Sequence, residues 1–108
     1  MRFQLGTLEE MILILLMMKD ETYGVEIAKE YKSKLGQSIS IPAIHVVLKR
    51  LEKKGFVTSR MGEPTQERGG KSKRLFKATH QGYETAHEIQ KKRNELWSTI
   101  PKLNIKTS

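Results

Sequence analysis

The order of elements along this chain predicts a mainly α fold with a small β-hairpin, a winged helix-turn-helix with a long C-terminal dimerisation helix. Three observations carry that expectation. Helical periodicity occupies the first half of the sequence in three stretches. Two short apolar strands then flank a long basic loop, and one further long helical stretch follows. With 108 residues, the chain has room for one modest core, and a small core profits from a second copy. Residues 1–79 are read as the winged domain, 80–101 as the C-terminal helix and 102–108 as a loose tail.

The first helix is expected over Leu8–Lys19, with Thr7 as its cap and Glu10 reaching back in a capping box. From Met11 to Met18 it is apolar on every side. One face can pack in its own domain; the other points to a partner copy, with Leu8, Met11, Ile12 and Leu15 as candidate contacts, unless the helix is simply central to the core. Lys19-Asp20-Glu21 breaks the pattern. Thr22 is then expected to cap a second helix whose apolar positions Tyr23, Ile27, Tyr31 and Leu35 recur every four residues, with Gly36 in the left-handed cap position.

A third helix is expected over Ile41–Lys54, capped by Ser40 and carrying Pro42 in its first turn, where a missing N–H costs nothing. Ile41, Ile44, Val47, Leu48 and Leu51 form one face. The opposite face carries Pro42, Val46, Lys49 and Lys53, flanked by Ala43, His45 and Arg50. Small and apolar groups at its start suit base edges, including a thymine methyl, and the cations beyond suit phosphates.

Phe56–Met61 and Arg74–Thr79 read as antiparallel strands. The polar loop between them, 62–73, places Arg68, Lys71 and Lys73 around Gly69-Gly70, with Arg74 beginning the second strand. Such a tip can follow a phosphate backbone or enter a minor groove, or it can be a solvated loop. Gly70-Lys71-Ser72 is not a nucleotide-binding loop, because Thr65 stands where the pattern needs glycine and a strand follows where a helix should. Thr79 is expected to cap a last helix over His80–Ile100, stopped by Pro101. Its seam Ala86, Ile89, Leu96 and Ile100, with Arg93 interrupting and Trp97 beside it, suits pairing with another chain.

Charge agrees with that division. The chain holds 20 Lys and Arg against 12 Asp and Glu, a net +8. Residues 1–36 are net −1, 37–77 net +7 and 78–108 net +2. A basic middle beside a near-neutral start marks one face for a polyanion, and double-stranded DNA is the expected partner. An acidic protein partner is the alternative; an RNA module would want an exposed aromatic platform. With no cysteine, disulfides, thiolate zinc sites and cysteine nucleophiles are excluded. The longest apolar run, Met11 to Met18, has eight residues, against roughly 20 for a membrane span. No secretory signal is read, so a cytoplasmic protein is expected.

Catalysis has no local support, since no nucleophile stands with a base and an orienting acid. His80, Glu84 and His87 share a helix face, but that spacing is common on polar surfaces; no metal or other cofactor is expected.

The sequence resembles the PadR family of transcriptional regulators. The resemblance runs through Leu5-Gly6-Thr7-Leu8-Glu9, Thr22-Tyr23-Gly24-Val25-Glu26-Ile27, Ile39-Ser40, Leu48-Lys49-Arg50-Leu51-Glu52-Lys53-Lys54-Gly55-Phe56-Val57 and Gly69-Gly70-Lys71-Ser72-Lys73-Arg74-Leu75-Phe76-Lys77-Ala78-Thr79, with Gly82. It implies a prokaryotic homodimeric repressor of the short-tailed branch, binding pseudo-palindromic operators through the third helix and the wing. It places Tyr23, Ser40, Pro42, Ala43, His45 and Lys49 at the major groove or its phosphates, and Gly69, Gly70, Lys71 and Lys73 at the wing tip. It also implies that some members release DNA on binding a small organic effector, with Trp97 near the place where an aromatic residue stacks on a planar ligand. Two departures stand out: His45 replaces the usual Tyr, and Val46-Val47 the usual Pro-Ala.

Overall fold

The computed structural model describes residues 5–63 and 73–101. Its elements run α1 (Thr7–Met17), α2 (Gly24–Leu35), α3 (Ile41–Lys53), β1 (Val57–Met61), β2 (Arg74–Ala78) and α4 (His80–Ser98). The two strands pair antiparallel, with Val57 opposite Ala78, Ser59 opposite Phe76 and Met61 opposite Arg74. Thr22 adds a bridge at the edge: its N–H donates to the Phe76 carbonyl at 3.1 Å and its own carbonyl accepts from the Phe76 N–H at 2.7 Å. The hairpin is thereby tied to the turn between α1 and α2. Three helices followed by a tethered hairpin make a winged helix-turn-helix, the fold class the sequence predicts.

Local chemistry sets most boundaries. Ser40 Oγ accepts from the Ala43 N–H at 3.2 Å, and Thr79 Oγ1 from the Gly82 N–H at 3.0 Å, so both predicted caps stand. Gly36 closes α2 with φ 72°, the left-handed geometry only glycine adopts freely.

Two expected caps fall elsewhere. The N-cap of α1 is Gly6, not Thr7, and it is Glu9 rather than Glu10 whose carboxylate accepts the Gly6 N–H, at 2.8 Å. The reciprocal acid must stand three residues past the cap, and Glu10 is committed to Arg93 on α4 instead. At α2 the N-cap is Tyr23, without a side-chain cap bond, because Thr22 is held in the bridge to Phe76.

The core gathers Ile12, Leu13 and Leu16 of α1, Ile27 of α2, Ile44, Leu48 and Leu51 of α3, and Phe56, Val57 and Phe76 at the root of the hairpin. Burying each such side chain contributes about 1.5–3 kcal/mol. Part of the expected partner surface packs within this chain. Ile12 and Leu15 are 0% and 6% exposed, and Ala86 and Ile89 of α4 are 3% and 5% exposed, all within this one chain. The second apolar face of α1 is covered by β2 and α4 rather than left bare. Leu8 and Met11 are half-buried, while Leu96, Trp97 and Ile100 stand out from the far end of α4.

Candidate nucleic-acid interface

α3 buries Ile44, Val47, Leu48 and Leu51 and turns Pro42, His45, Val46, Lys49, Arg50 and Lys53 outward, with Ala43 half-buried between the faces. Val46 is 52% exposed, an unusual outcome for a valine on a solvated helix, where water would favour Glu or Gln.

Several cations elsewhere on the surface are tied to carboxylates, unlike those on this face. Lys54 meets Glu9 at 2.9 Å, Arg60 grips Glu21 in a two-pronged contact at 2.7 Å, and Lys19 and Lys34 share Glu30 at 3.4 Å each. Among the described residues Lys49, Arg50 and Lys53 engage no carboxylate in an ion pair. Their charge is left facing outward along one stripe.

The hairpin and α2 frame the start of that stripe. The Lys73 ammonium lies 4.3 Å above the Tyr23 ring, an attraction worth roughly 0.5–1 kcal/mol at an exposed site. Arg74 Nη1 donates to Ser59 Oγ at 3.0 Å, and that hydroxyl donates to Glu52 Oε2 of α3 at 2.7 Å, which ties the hairpin to the helix. His45 tilts against the Phe76 ring, centroids 5.8 Å apart. Tyr23, Gly24, His45, Lys73 and Arg74 thus converge on a notch of about 220 Å³. The expected residues Arg68, Gly69, Gly70 and Lys71 lie outside the described residues, as does the tail 102–108.

Gly24 is a member of this site that the sequence did not single out. A Cβ there would lie 2.6 Å from His45 Nε2, so the imidazole sits where any other residue would intrude. Its only sequence signal was the Tyr-Gly pair at the start of α2. Because the obstacle is the end of a rotatable side chain, Gly24→Ala is expected to re-aim His45 rather than unfold the protein. The melting temperature should hold within a few degrees while the preferred DNA sequence changes. Thermal denaturation beside a binding-site selection checks both.

A family model, the transcriptional regulator PadR-like family, matches residues 12–88. The chain belongs to this family. It is a DNA-binding transcriptional regulator, and the family's members are regulators, not enzymes. Solved structures agree in fold. The chain is similar to a PadR-like transcription factor from Bacteroides fragilis, with TM-score 0.76 and 26% identity over 87% of this chain and 86% of that one. It is similar also to a transcriptional regulator from Clostridium thermocellum, with TM-score 0.73 and 24% identity over 93% and 92%. A PadR-like transcriptional regulator from Bacillus cereus follows, with TM-score 0.70 and 21% identity over 87% of each chain. No curated protein matches the sequence. Among the described residues no helix is long and apolar enough to cross a membrane.

In this PadR-like chain the interruption of the α4 seam has a clear cause. Arg93 reaches inward and donates to both oxygens of Glu10, at 2.7 and 3.0 Å; the Glu10 side chain is 2% exposed. The pair holds α4 on α1, and a buried carboxylate without it would be strongly unfavourable.

Glu9 is one of three carboxylates whose lowered pKa ties the fold's stability to pH. Burial alone would raise its pKa, but the Gly6 N–H, the Lys54 ammonium and the nearby Arg50 charge outweigh burial and hold it below the ordinary glutamate value. Glu21, bonded to Arg60, and Glu30, beside Lys34, shift the same way. A lowered carboxylate pKa stabilises the fold above the unfolded value of about 4.3, and that contribution is lost as pH falls through the folded value. Urea midpoints are therefore expected to drop below about pH 4.3, and Glu9→Gln should flatten that drop. A Glu9→Gln profile that kept the full slope would contradict the assignment.

Proposed function

We propose that this PadR-like protein is a homodimeric, operator-specific repressor that places α3 in the major groove and lays the wing along the backbone or minor groove. One observation carries the reading: Lys49, Arg50 and Lys53 line one outward stripe and make no ion pair among the described residues, behind a small, apolar leading edge of Pro42, Ala43 and Val46. Phosphate contacts then come from the cations, with Ser40, Tyr23, Lys73 and Arg74 beside them, and base contacts come from His45 and Val46. Arg68, Gly69, Gly70 and Lys71 belong to the same proposal through the resemblance alone.

The partner copy covers what the chain leaves bare. Leu96 and Trp97 are 72% and 74% exposed, and a groove of about 270 Å³ between Leu5, Ile89, Arg93 and Leu96 runs beside them. Dimerisation through Leu8, Met11, Leu96, Trp97 and Ile100 buries this surface and pairs two copies of α3. A planar organic effector, as the resemblance implies, would stack on the Trp97 indole at that junction.

Selection from a random-sequence duplex pool, read by fluorescence anisotropy at two salt concentrations, tests the proposal. Enrichment of a two-fold-symmetric site is the expected result. Tight, salt-steep binding without enrichment would make the protein a backbone-binding architectural factor, and no binding at low salt would return it to the protein-partner reading.

A further inference from the structure

Of the chain's three histidines, His45 alone lies on α3; His80 and His87 stand on α4. Two neighbours hold its ring. One face tilts at 58° against Phe76 of β2, and the Nε2 end lies over Gly24, in the space that a Cβ there would enter at 2.6 Å. The side chain is nonetheless exposed. Among the described residues no hydrogen bond engages either ring nitrogen, so no protein partner selects which nitrogen carries the proton.

The groups around the ring are basic or neutral. Tyr23, at the start of α2, and Lys73 and Arg74, of the hairpin, line the same notch. On α3 itself Lys49 follows one turn on. The acids of these elements are engaged or placed elsewhere: Glu52 with Ser59, Glu30 with Lys19 and Lys34, and Glu26 outside the lining of the notch. A duplex seated on these cations brings phosphates around an imidazole that has no carboxylate of its own, and nearby negative charge favours the protonated form.

Protonation also changes what the ring can read. Neutral imidazole has one donor and one acceptor, so a given nitrogen donates only in one tautomer; imidazolium donates from both. Guanine is the base whose major-groove edge presents two acceptors, N7 and O6, and no donor. We infer that His45 is a proton-dependent guanine reader: it takes up a proton from solvent as the operator seats and donates a hydrogen bond to N7 of one guanine in each half-site. The inference rests on the proposed placement of α3 in the major groove and names the base selected there. Its sign follows. Operator affinity is greatest below the ordinary imidazole value of about 6.5, and it falls as pH rises through the higher value that the complex imposes. By reciprocity, DNA tightens proton binding by the same factor.

The test titrates wild type and His45→Gln, which is neutral at every pH used, on the selected operator at about pH 8 and about pH 6. His80 and His87 are present in both proteins, so the ratio of their affinities isolates His45. If the operator lifts the imidazole midpoint by about one pH unit, that ratio should rise about sixfold per site, or on the order of thirtyfold for two sites, between pH 8 and pH 6. Placing 7-deazaguanine, which lacks N7, at symmetric guanines in turn should abolish the rise at one position in each half-site. In NMR spectra the His45 ring resonance, identified by its loss in His45→Gln, should titrate at higher pH with operator than without. A ratio that stays flat, a ring midpoint that operator does not raise, or a rise that persists on every 7-deazaguanine duplex would overturn the inference; a selected symmetric site would still uphold the proposed function. If the random pool yields no selected site, the proposed function fails and this inference with it.

Discussion

Gly82→Ala is expected to destabilise the protein by about 3 kcal/mol or more, at the upper end of overpacking costs. The third residue of α4 sits so close to the preceding turn that a Cβ on Gly82 would lie 2.3 Å from the Phe56 carbonyl oxygen and 3.1 Å from its carbon. Backbone cannot rotate away as a side chain can. That same carbonyl accepts the Thr79 N–H at 2.9 Å, and Thr79 Oγ1 donates to the Gly55 carbonyl at 2.8 Å. Relieving the clash therefore breaks the joint through which α4 leaves the hairpin. For a domain of this size the melting temperature should fall by on the order of 15 °C. A fall of only a few degrees, as expected for Gly24→Ala, would show that the α4 junction is looser than described.

The largest functional effect is expected from Lys49→Ala combined with Lys53→Ala. If the dimer makes about eight phosphate contacts, the slope of log K against log salt is near −7. Removing two lysines from each copy deletes four contacts and should bring that slope to about −3.5, with operator affinity down on the order of a hundredfold at low salt. Both lysines are exposed and make no ion pair among the described residues, so the fold should melt as before. His45→Ala or Val46→Ala should behave differently, leaving the slope alone and changing which base pairs are preferred, at about 1–3 kcal/mol per altered contact. Anisotropy titrations over a salt series separate the two patterns. An unchanged slope in the lysine variant would remove α3 from the phosphate backbone.

Features that depend on a few consecutive residues were legible in the sequence. Ser40, Thr79 and Gly36 act as caps because each needs only its own turn of helix. The outward face of α3 followed from its period alone. What needs a second element was less legible. The cap of α1 falls on Gly6 because Glu10 is drawn to Arg93, 83 residues away in sequence, and Thr22 is lost to α2 because Phe76 claims its backbone. Periodicity showed that α1 and α4 have apolar faces, but not that Ile12, Leu15, Ala86 and Ile89 are covered by their own chain. Close approaches, Gly24 on His45 and Gly82 on Phe56, leave no pattern in a single sequence.

In the proposed complex, two copies of α3 read one face of a duplex through its major groove. Dimethyl sulfate footprinting of guanine N7, which lies in the major groove, tests it most directly on the selected site. Protection is expected in two symmetric half-sites whose centres lie about 34–36 Å apart, or a multiple of that distance, and His45→Ala should lose part of it. Strong binding with guanine N7 unprotected in both half-sites would contradict it.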